Sequence, residues 1–214
     1  MLPGSIIAGV LLLSLALFFA VNLQNVMKGS KERSGEEAYA EVERPSGVFI
    51  SLAALGTFAF FAEALLIVYL GSVGQIYLFM PALQFEPPFA STLQALGLAV
   101  VSSGVIVFVW SVVARGRYSV AWEMPEDQQL VTWGPYRYVR HPSYLGYMLM
   151  FSGLFLVWLN LIALAPMVGI PGYVALAKPE EELLIFRFGQ MYRDYMRSTG
   201  RFIPRISSRK KQVD

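Results

Sequence analysis

The sequence predicts an all-α integral membrane protein, a helical bundle of about five transmembrane helices with a tight helical hairpin and a C-terminal amphipathic cytosolic helix. Apolar residues make up 56% of its 214 residues and charged residues only 15%, against roughly half and a quarter in a soluble domain. Mean hydropathy is +0.52. The uncharged stretches supply the about 20 apolar residues that a spanning helix needs.

These stretches place the spans, which are, in chain order, residues 5–23, 47–70, 93–113, 143–157 and 161–177. A secretory signal peptide is the competing interpretation of the first span, although a basic leader and a small-residue cleavage site are not evident. The segment 71–85 contains two glycines and Pro81. It is too broken for a further span and predicts a loop on the outer side.

The last two spans form the predicted hairpin. The uncharged stretch 142–177 is too long for one straight helix across a hydrocarbon core of about 30 Å. Residues 158–160 offer a turn in its middle. Pro166, together with the glycines and the proline at 169–172, predicts breaks in the second arm, which are tolerated where a helix packs against protein or lines a cavity.

The basic residues predict the orientation. All 17 lysines and arginines fall in the loops 24–46 and 115–142 or from Lys178 onward. A five-span chain with its N-terminus outside and its C-terminus in the cytosol places all of them on the cytosolic side. Pro179 and the acids after it predict the start of the C-terminal helix. The predicted apolar face of this helix consists of Leu184, Phe188, Met191 and Tyr195.

Polar side chains collect at the inner end of the fourth span. Pro142 suits a first helical position and keeps His141 out of helical geometry, so Arg140 and His141 lie beside a helix N-terminus that attracts anions. A lone histidine or arginine there is usually structural. Two arginines, the single histidine and three tyrosines within nine residues favour a functional site. The predicted division is residues 1–114 with spans one to three, and a core at 115–214 made of the loop 115–142, the hairpin 143–177 and the tail 178–214.

Several classes of site are disfavoured by absence. The chain has no cysteine and one histidine, so we predict no metal site. It has no Gly-x-Gly and no Walker loop, and a net charge of +2 gives no argument for nucleic acid. Glu63 in the second span keeps a proton-relay transporter open. We predict that Glu63 lines a substrate cavity or pairs with a polar group of a neighbouring span; a shifted span that brings it to the interface is the alternative.

Two motifs in this order resemble the isoprenylcysteine carboxyl methyltransferase family and its wider phospholipid-methyltransferase-like superfamily. The first is GPYRYVRHPSYLG; the second, after the hairpin, is EEELLIFRFGQMYRDYM, followed by TGRFIPR. The family pattern is Arg-His-Pro-x-Tyr-x-Gly, a hydrophobic hairpin and Glu-Glu-x-x-Leu-x-x-x-Phe-Gly-x-x-Tyr, and every position is matched. The resemblance covers roughly residues 118–205, and the first ninety residues match only as spans.

The resemblance implies an integral membrane methyltransferase (EC 2.1.1 class) that uses S-adenosyl-L-methionine, yields S-adenosyl-L-homocysteine and acts on a lipid or other hydrophobic acceptor. An isoprenylcysteine carboxyl O-methyltransferase-like activity is the first interpretation. The alternatives are a phospholipid or amine N-methyltransferase or a thiol S-methyltransferase of the same fold, or a non-catalytic membrane transporter or assembly protein. The implied membrane is the plasma (inner) membrane in a prokaryote and the endoplasmic reticulum in a eukaryote.

The resemblance also implies the site residues. The implied cofactor contacts are Gln128, Gln129, Leu130, Val131, Tyr136, His141, Pro142, Ser143, Tyr144 and Glu180. The catalytic candidates are Arg140, which suits bidentate contact with an anionic acceptor, and Glu181, a candidate base for an amine or hydroxyl nucleophile. In the family an arginine that contacts substrate stands four residues before the glutamate pair; here that residue is Leu176. Lys178 and Glu63 complete the predicted acceptor side, although lysine is a poor replacement for a bidentate arginine.

Overall fold

The computed structural model describes residues 1–33, 40–41, 47–118, 123–124 and 128–205. Its α-helices are α1 (Gly4–Arg33), α2 (Gly47–Ser72), α3 (Ala90–Arg115), α4 (Pro142–Trp158), α5 (Gly169–Phe188) and α6 (Gln190–Ser198). Short 3-10 helices cover Pro81–Leu83, Gly116–Tyr118, Gly134–Arg137 and Leu161–Val168. Two short strands, β1 (Ala40–Glu41) and β2 (Glu123–Met124), pair antiparallel and join the segments that follow α1 and α3.

The helices confirm an all-α, integral, multi-pass membrane protein. Four helical segments are long and apolar enough to cross a membrane, namely Gly4–Met27, Gly47–Ser72, Ala90–Arg115 and Leu161–Phe188. The fifth apolar helix, α4, is shorter at 17 residues. The five predicted spans therefore correspond to α1, α2, α3 and the two arms of the hairpin.

The hairpin turn lies where the sequence predicts it. Helix α4 ends at Trp158, and the next residue, Leu159, is left-handed at φ 51°. The Asn160 side chain accepts a hydrogen bond from the Ile162 N–H at 3.0 Å. The predicted loop after α2 packs against this tip, since the Phe85 N–H donates to the Leu159 carbonyl at 2.7 Å. This end of the bundle is thus a packed cap.

The predicted breaks in the second arm are only partly right. The irregular part is the 3-10 segment with Pro166, and α5 is continuous from Gly169 onward. Pro171 lies in the first turn of α5, where a missing N–H costs no helical hydrogen bond. Gly172 allows close packing, because a Cβ there would lie 2.6 Å from the Ala53 backbone nitrogen on α2.

The predicted start of the C-terminal helix at Pro179 is wrong. Helix α5 runs through Pro179 to Phe188, and the chain breaks at Gly189, whose φ is 54°. Glycine adopts this conformation without the Cβ penalty of other residues. The break reorients α6, so Met191, predicted as part of the apolar face, is 63% exposed, whereas Tyr192 is 1% exposed.

Helices α3 and α4 pack in direct backbone contact. A Cβ at Gly104 of α3 would lie 2.7 Å from the Gly146 carbonyl oxygen of α4, and a Cβ at Gly146 would lie 2.8 Å from the Gly104 carbonyl oxygen. The approach is equally tight at Gly97, seven residues earlier in α3, and at Gly153, seven residues later in α4. This contact fixes α4, whose first turn carries the candidate site.

Candidate active site

The candidate site is built around the first turn of α4. His141 is the N-cap residue and Pro142 the first helical residue, as predicted. The C-terminal tail folds back beside this turn: the Arg140 N–H donates to the Gly200 carbonyl at 2.9 Å, and the His141 N–H donates to the Arg201 carbonyl at 3.1 Å. Backbone hydrogen bonds therefore join two segments that are about sixty residues apart in the sequence.

Glu181 is the centre of a buried ionic network. Its carboxylate is 3% exposed and accepts from Arg140 Nε at 2.8 Å and from Arg201 Nη2 at 2.5 Å. His141 Nε2 lies 3.3 Å from its Oε1. Arg140 also donates through Nη1 to the carbonyls of Met196 and Thr199. The network ties α4, α5, α6 and the tail together.

Glu180 faces the other side of the histidine ring. His141 Nδ1 lies 3.3 Å from Glu180 Oε2, and the Tyr144 hydroxyl donates to Glu180 Oε1. The Tyr144 ring stacks on the imidazole with centroids 5.4 Å apart. Each ring nitrogen of His141 thus faces a carboxylate.

Two carboxylates favour the charged imidazolium. Burial on its own lowers the pKa of His141, but the hydrogen bonds and negative charges of Glu180 and Glu181 outweigh burial, so the pKa lies above its ordinary value of 6.5. Because the pKa of His141 is higher in the folded than in the unfolded protein, protonation of His141 stabilises the folded state.

We predict that this stabilisation decreases in alkaline solution. It is complete below the ordinary histidine pKa of 6.5 and is lost as the pH rises through the raised pKa of the folded protein. The midpoint of thermal unfolding in detergent, measured for the wild type and for His141→Gln between about pH 6 and pH 9, should show the gap between them narrowing as pH rises. A gap that is constant or widens would contradict a charged His141.

A cavity of about 670 Å³, counted with its open mouth, lies beside this network. Nine of the predicted site residues line it, namely Gln128, Gln129, Leu130, Val131, Tyr136, Arg140, His141, Ser143 and Glu180. Pro142 and Tyr144 belong to the same helical turn, and Glu181 lies beneath it in the ionic network. Two segments that are far apart in the sequence therefore come together as predicted.

Two predicted acceptor residues are not among those that line this cavity. Lys178 is 75% exposed and pairs with Glu182 at 3.8 Å. Glu63 is 7% exposed on α2, and its Oε2 has no hydrogen-bond partner within the described ranges. Leu176, which stands where the family has arginine, is buried in the apolar core.

Several lining residues were not predicted as site residues. They are Arg115, Tyr118, Leu184, Tyr192 and Tyr195. Leu184, Tyr192 and Tyr195 belong to the C-terminal motif and could have been assigned from it. Arg115 ends α3, where an arginine ordinarily indicates only a membrane boundary, so no local signal marks it.

The fold and the site define a class: a multi-pass membrane protein with a polar, ionic cavity where a helical hairpin meets the C-terminal helices. Residues 92–191 match the phospholipid methyltransferase family. The protein-S-isoprenylcysteine O-methyltransferase of Tribolium castaneum is 30% identical over 124 residues, which are 55% of this chain and 44% of that protein. The Dictyostelium discoideum protein of the same name is 34% identical over 90 residues, 39% of this chain and 36% of that protein.

The chain spans less than half the length of these curated relatives. A solved structure of the eukaryotic intramembrane Ras methyltransferase ICMT (isoprenylcysteine carboxyl methyltransferase) is 24% identical with a TM-score of 0.48, covering 76% of this chain and 54% of that one. The family and sequence matches confirm that the chain resembles the isoprenylcysteine carboxyl methyltransferase family and its wider superfamily, as the two motifs predicted.

Proposed function

We propose that the protein is an integral membrane S-adenosylmethionine-dependent methyltransferase that acts on a lipid or other hydrophobic acceptor. One observation carries the proposal: residues of both motifs, with Tyr136, His141 and Ser143 from the first and Glu180 from the second, line a single cavity. Neighbouring motif residues connect the same two segments, since Tyr144 donates to Glu180. A purely structural role for these motifs would not require a cavity between them.

The chemistry of the cavity suits this cofactor. Glu180 supplies a carboxylate that is 12% exposed, and a buried negative charge favours a cationic ligand group such as an ammonium or a sulfonium. Leu130, Val131 and Tyr136 offer apolar and aromatic surface, which suits an adenine ring. Gln128 Oε1 is buried without a hydrogen-bond partner in the described part of the chain, so this acceptor is available to a donor of the ligand.

When bound, this cofactor supplies an electrophilic methyl group on a sulfonium. The chain's own contribution is to hold the nucleophile in line with that methyl and to exclude bulk water. The first turn of α4 is suited to this work because its position is fixed by α3 on one side and by the tail on the other. A carboxylate nucleophile needs no base, whereas an amine or hydroxyl does.

We propose that Arg140 and Glu181 position the site, and do not act as the acceptor contact and the base. Arg140 Nε is engaged by Glu181, and its Nη1 by the carbonyls of Met196 in α6 and of Thr199. Both oxygens of Glu181 accept from arginines. A carboxylate held by two guanidinium groups is a weak base, and its role is to set the place of His141 and Arg201.

The position at which the family has a substrate-contacting arginine is occupied here by an apolar residue, Leu176. Leu176 is buried in the core, and the Lys178 ammonium pairs with Glu182 on the exposed surface. We propose that the acceptor is recognised mainly through its hydrophobic part. A prenylated cysteine carboxylate, suggested by the names of the relatives, is the first acceptor to test.

The proposed orientation has the N-terminus outside and the cavity at the cytosolic face. The carboxylate and arginine side chains of the site lie on the same side as all 17 basic residues of the sequence in a five-span chain. The acceptor then reaches the cavity from the inner leaflet, and the water-soluble cofactor reaches it from the cytosol.

Binding of S-adenosylhomocysteine tests the cofactor assignment. Calorimetry on the detergent-purified protein should show binding, and Glu180→Gln should weaken it about tenfold to a hundredfold, since a hydrogen bond to a charged group contributes about 1.5–3 kcal/mol. Glu182→Gln is the matched control, because Glu182 is 65% exposed and should leave binding unchanged. No binding by the wild type would refute the proposed function.

Base treatment of the labelled product identifies the acceptor atom. Membranes that contain the protein are incubated with methyl-labelled S-adenosylmethionine and then treated with base. Release of volatile methanol indicates a methyl ester and supports the O-methyltransferase interpretation. Retention of the label indicates N- or S-methylation.

A further inference from the structure

Arg115 is a cavity residue that the proposed mechanism does not use. It is the last residue of α3 and precedes Gly116, whose φ of 53° ends the helix. Arg115 lines the cavity together with Gln128 and Tyr136. An arginine at a membrane boundary ordinarily extends its head group into water, so its place in a cavity wall needs a separate explanation.

The fold holds this end of α3 firmly against the site. Trp133 Nε1 donates to the Ala114 carbonyl at 3.0 Å. A Cβ at Gly134 would lie 2.8 Å from Ala114 Cβ, so the segment that leads to Tyr136 packs closely on the last turn of the helix. The position of Arg115 is therefore set by the same contacts that place the cavity wall.

Arg115 has an unused donor inside the wall. Its Nε is buried and has no hydrogen-bond partner in the part of the chain that the structure describes. Buried polar groups are almost always paired, and leaving one unpaired costs free energy. Arg140, which also lines this cavity, already donates to Glu181 and to the carbonyls of Met196 and Thr199.

The charge of Arg115 also reaches the ligand-facing groups. Burial raises the pKa of the Tyr136 phenol, and the positive charge of Arg115 opposes this rise; both residues line the same cavity. Glu180 acts on the same phenol with the opposite sign. One cavity thus presents a guanidinium and a carboxylate, a pair that matches the two charges of an α-amino-acid group.

We propose that Arg115 binds the carboxylate of the cofactor's amino-acid moiety, with Glu180 facing its ammonium. This inference rests on the proposed function, because it assumes that S-adenosylmethionine and its product occupy this cavity. A guanidinium and a carboxylate form strong charge-assisted hydrogen bonds, which would satisfy the open Nε donor of Arg115.

The test compares two ligands that differ only in this carboxylate. S-adenosylhomocysteine and its decarboxylated analogue are titrated into the full-length protein in detergent, with competition binding for the weaker ligand. The wild type should prefer the carboxylate form by about tenfold to a hundredfold. In Arg115→Gln this preference should fall to within about threefold, because only the ligand that carries the carboxylate loses affinity. Arg115→Lys should restore part of the preference, since lysine keeps the positive charge as a point charge.

Arg137→Gln is the matched control. Arg137 lies in the 3-10 helix Gly134–Arg137, which also contains Tyr136. It is exposed, and its guanidinium lies 5.5 Å from the Tyr138 ring centroid. Its loss should leave the preference for the carboxylate form as in the wild type. The thermal unfolding midpoint of Arg115→Gln should be equal to or above that of the wild type, since the substitution removes a buried donor that has no partner among the described residues.

The other outcomes overturn the inference. Equal weakening of both ligands by Arg115→Gln would assign Arg115 to the shape of the cavity. If Arg115→Gln binds both ligands as the wild type does but has a higher KM for the acceptor, then Arg115 binds an anionic group of the acceptor and not of the cofactor. A wild type that binds neither ligand would refute the proposed function itself, whereas a wild type that binds both with equal affinity would refute only the role of Arg115.

Discussion

Glu181→Ala is expected to destabilise the folded protein by about 3–5 kcal/mol, the cost of breaking a buried ion pair from one side. The substitution leaves Arg140, which is 7% exposed, without its carboxylate. It also removes one of the two carboxylates of His141 and the partner of Arg201. Unfolding in a mild detergent, followed by far-ultraviolet circular dichroism, measures the change.

Glu182→Ala is the control for this prediction. Glu182 is the next residue in α5, carries the same charge and is 65% exposed in a surface pair with Lys178. Exposed pairs of this kind contribute about 0.3–0.5 kcal/mol. If the two variants unfold alike, the ionic network around Glu181 does not contribute to stability and its positioning role is wrong.

Gly104→Leu is expected to destabilise the protein by about 3 kcal/mol or more, at the upper end of overpacking effects. The first added carbon would lie 2.7 Å from the Gly146 carbonyl oxygen and 2.9 Å from the Met150 backbone nitrogen. Backbone atoms cannot rotate away as a flexible side chain can, so α4 would have to move from α3. Because α4 begins with the site residues, S-adenosylhomocysteine binding should weaken with stability.

Gly9→Leu is the comparison for this variant. It makes the same chemical change in α1, where an added Cβ meets no atom within 4 Å. Removing a helical glycine there should be neutral or slightly stabilising, by up to about 1 kcal/mol. Equal unfolding midpoints for the two variants would show that α3 and α4 are not in the close contact described.

Most of the fold follows from the sequence, because the length of an apolar stretch is itself the physical requirement for a span. The hairpin turn is equally local, since Asn160 caps the second arm through its own side chain. The end of α5 is different. Whether Pro179 begins a helix or lies within one depends on the packing of the whole helix, and the break falls instead at Gly189.

Some residues of the candidate site could likewise be predicted from the sequence, and others could not. Residues that are adjacent in a motif, such as Arg140 and His141, could be assigned together because the first turn of α4 positions both. The partners of Glu181 could not. Arg201 reaches it only because the tail pairs with the residues before α4, and this contact between distant segments leaves no periodic or compositional pattern. Arg115 was missed for the same reason.

The pairing of Gly200 and Arg201 with Arg140 and His141 also constrains biosynthesis. The contacts that hold Arg140 and His141 are complete only when the residues after α6 have been synthesised, which is after all the spanning helices. Chains emerge from the ribosome N-terminal end first, so the bundle can insert while these two residues still lack their partners in the tail. The final arrangement of the candidate site is thus acquired last, as the closing step of assembly in the membrane.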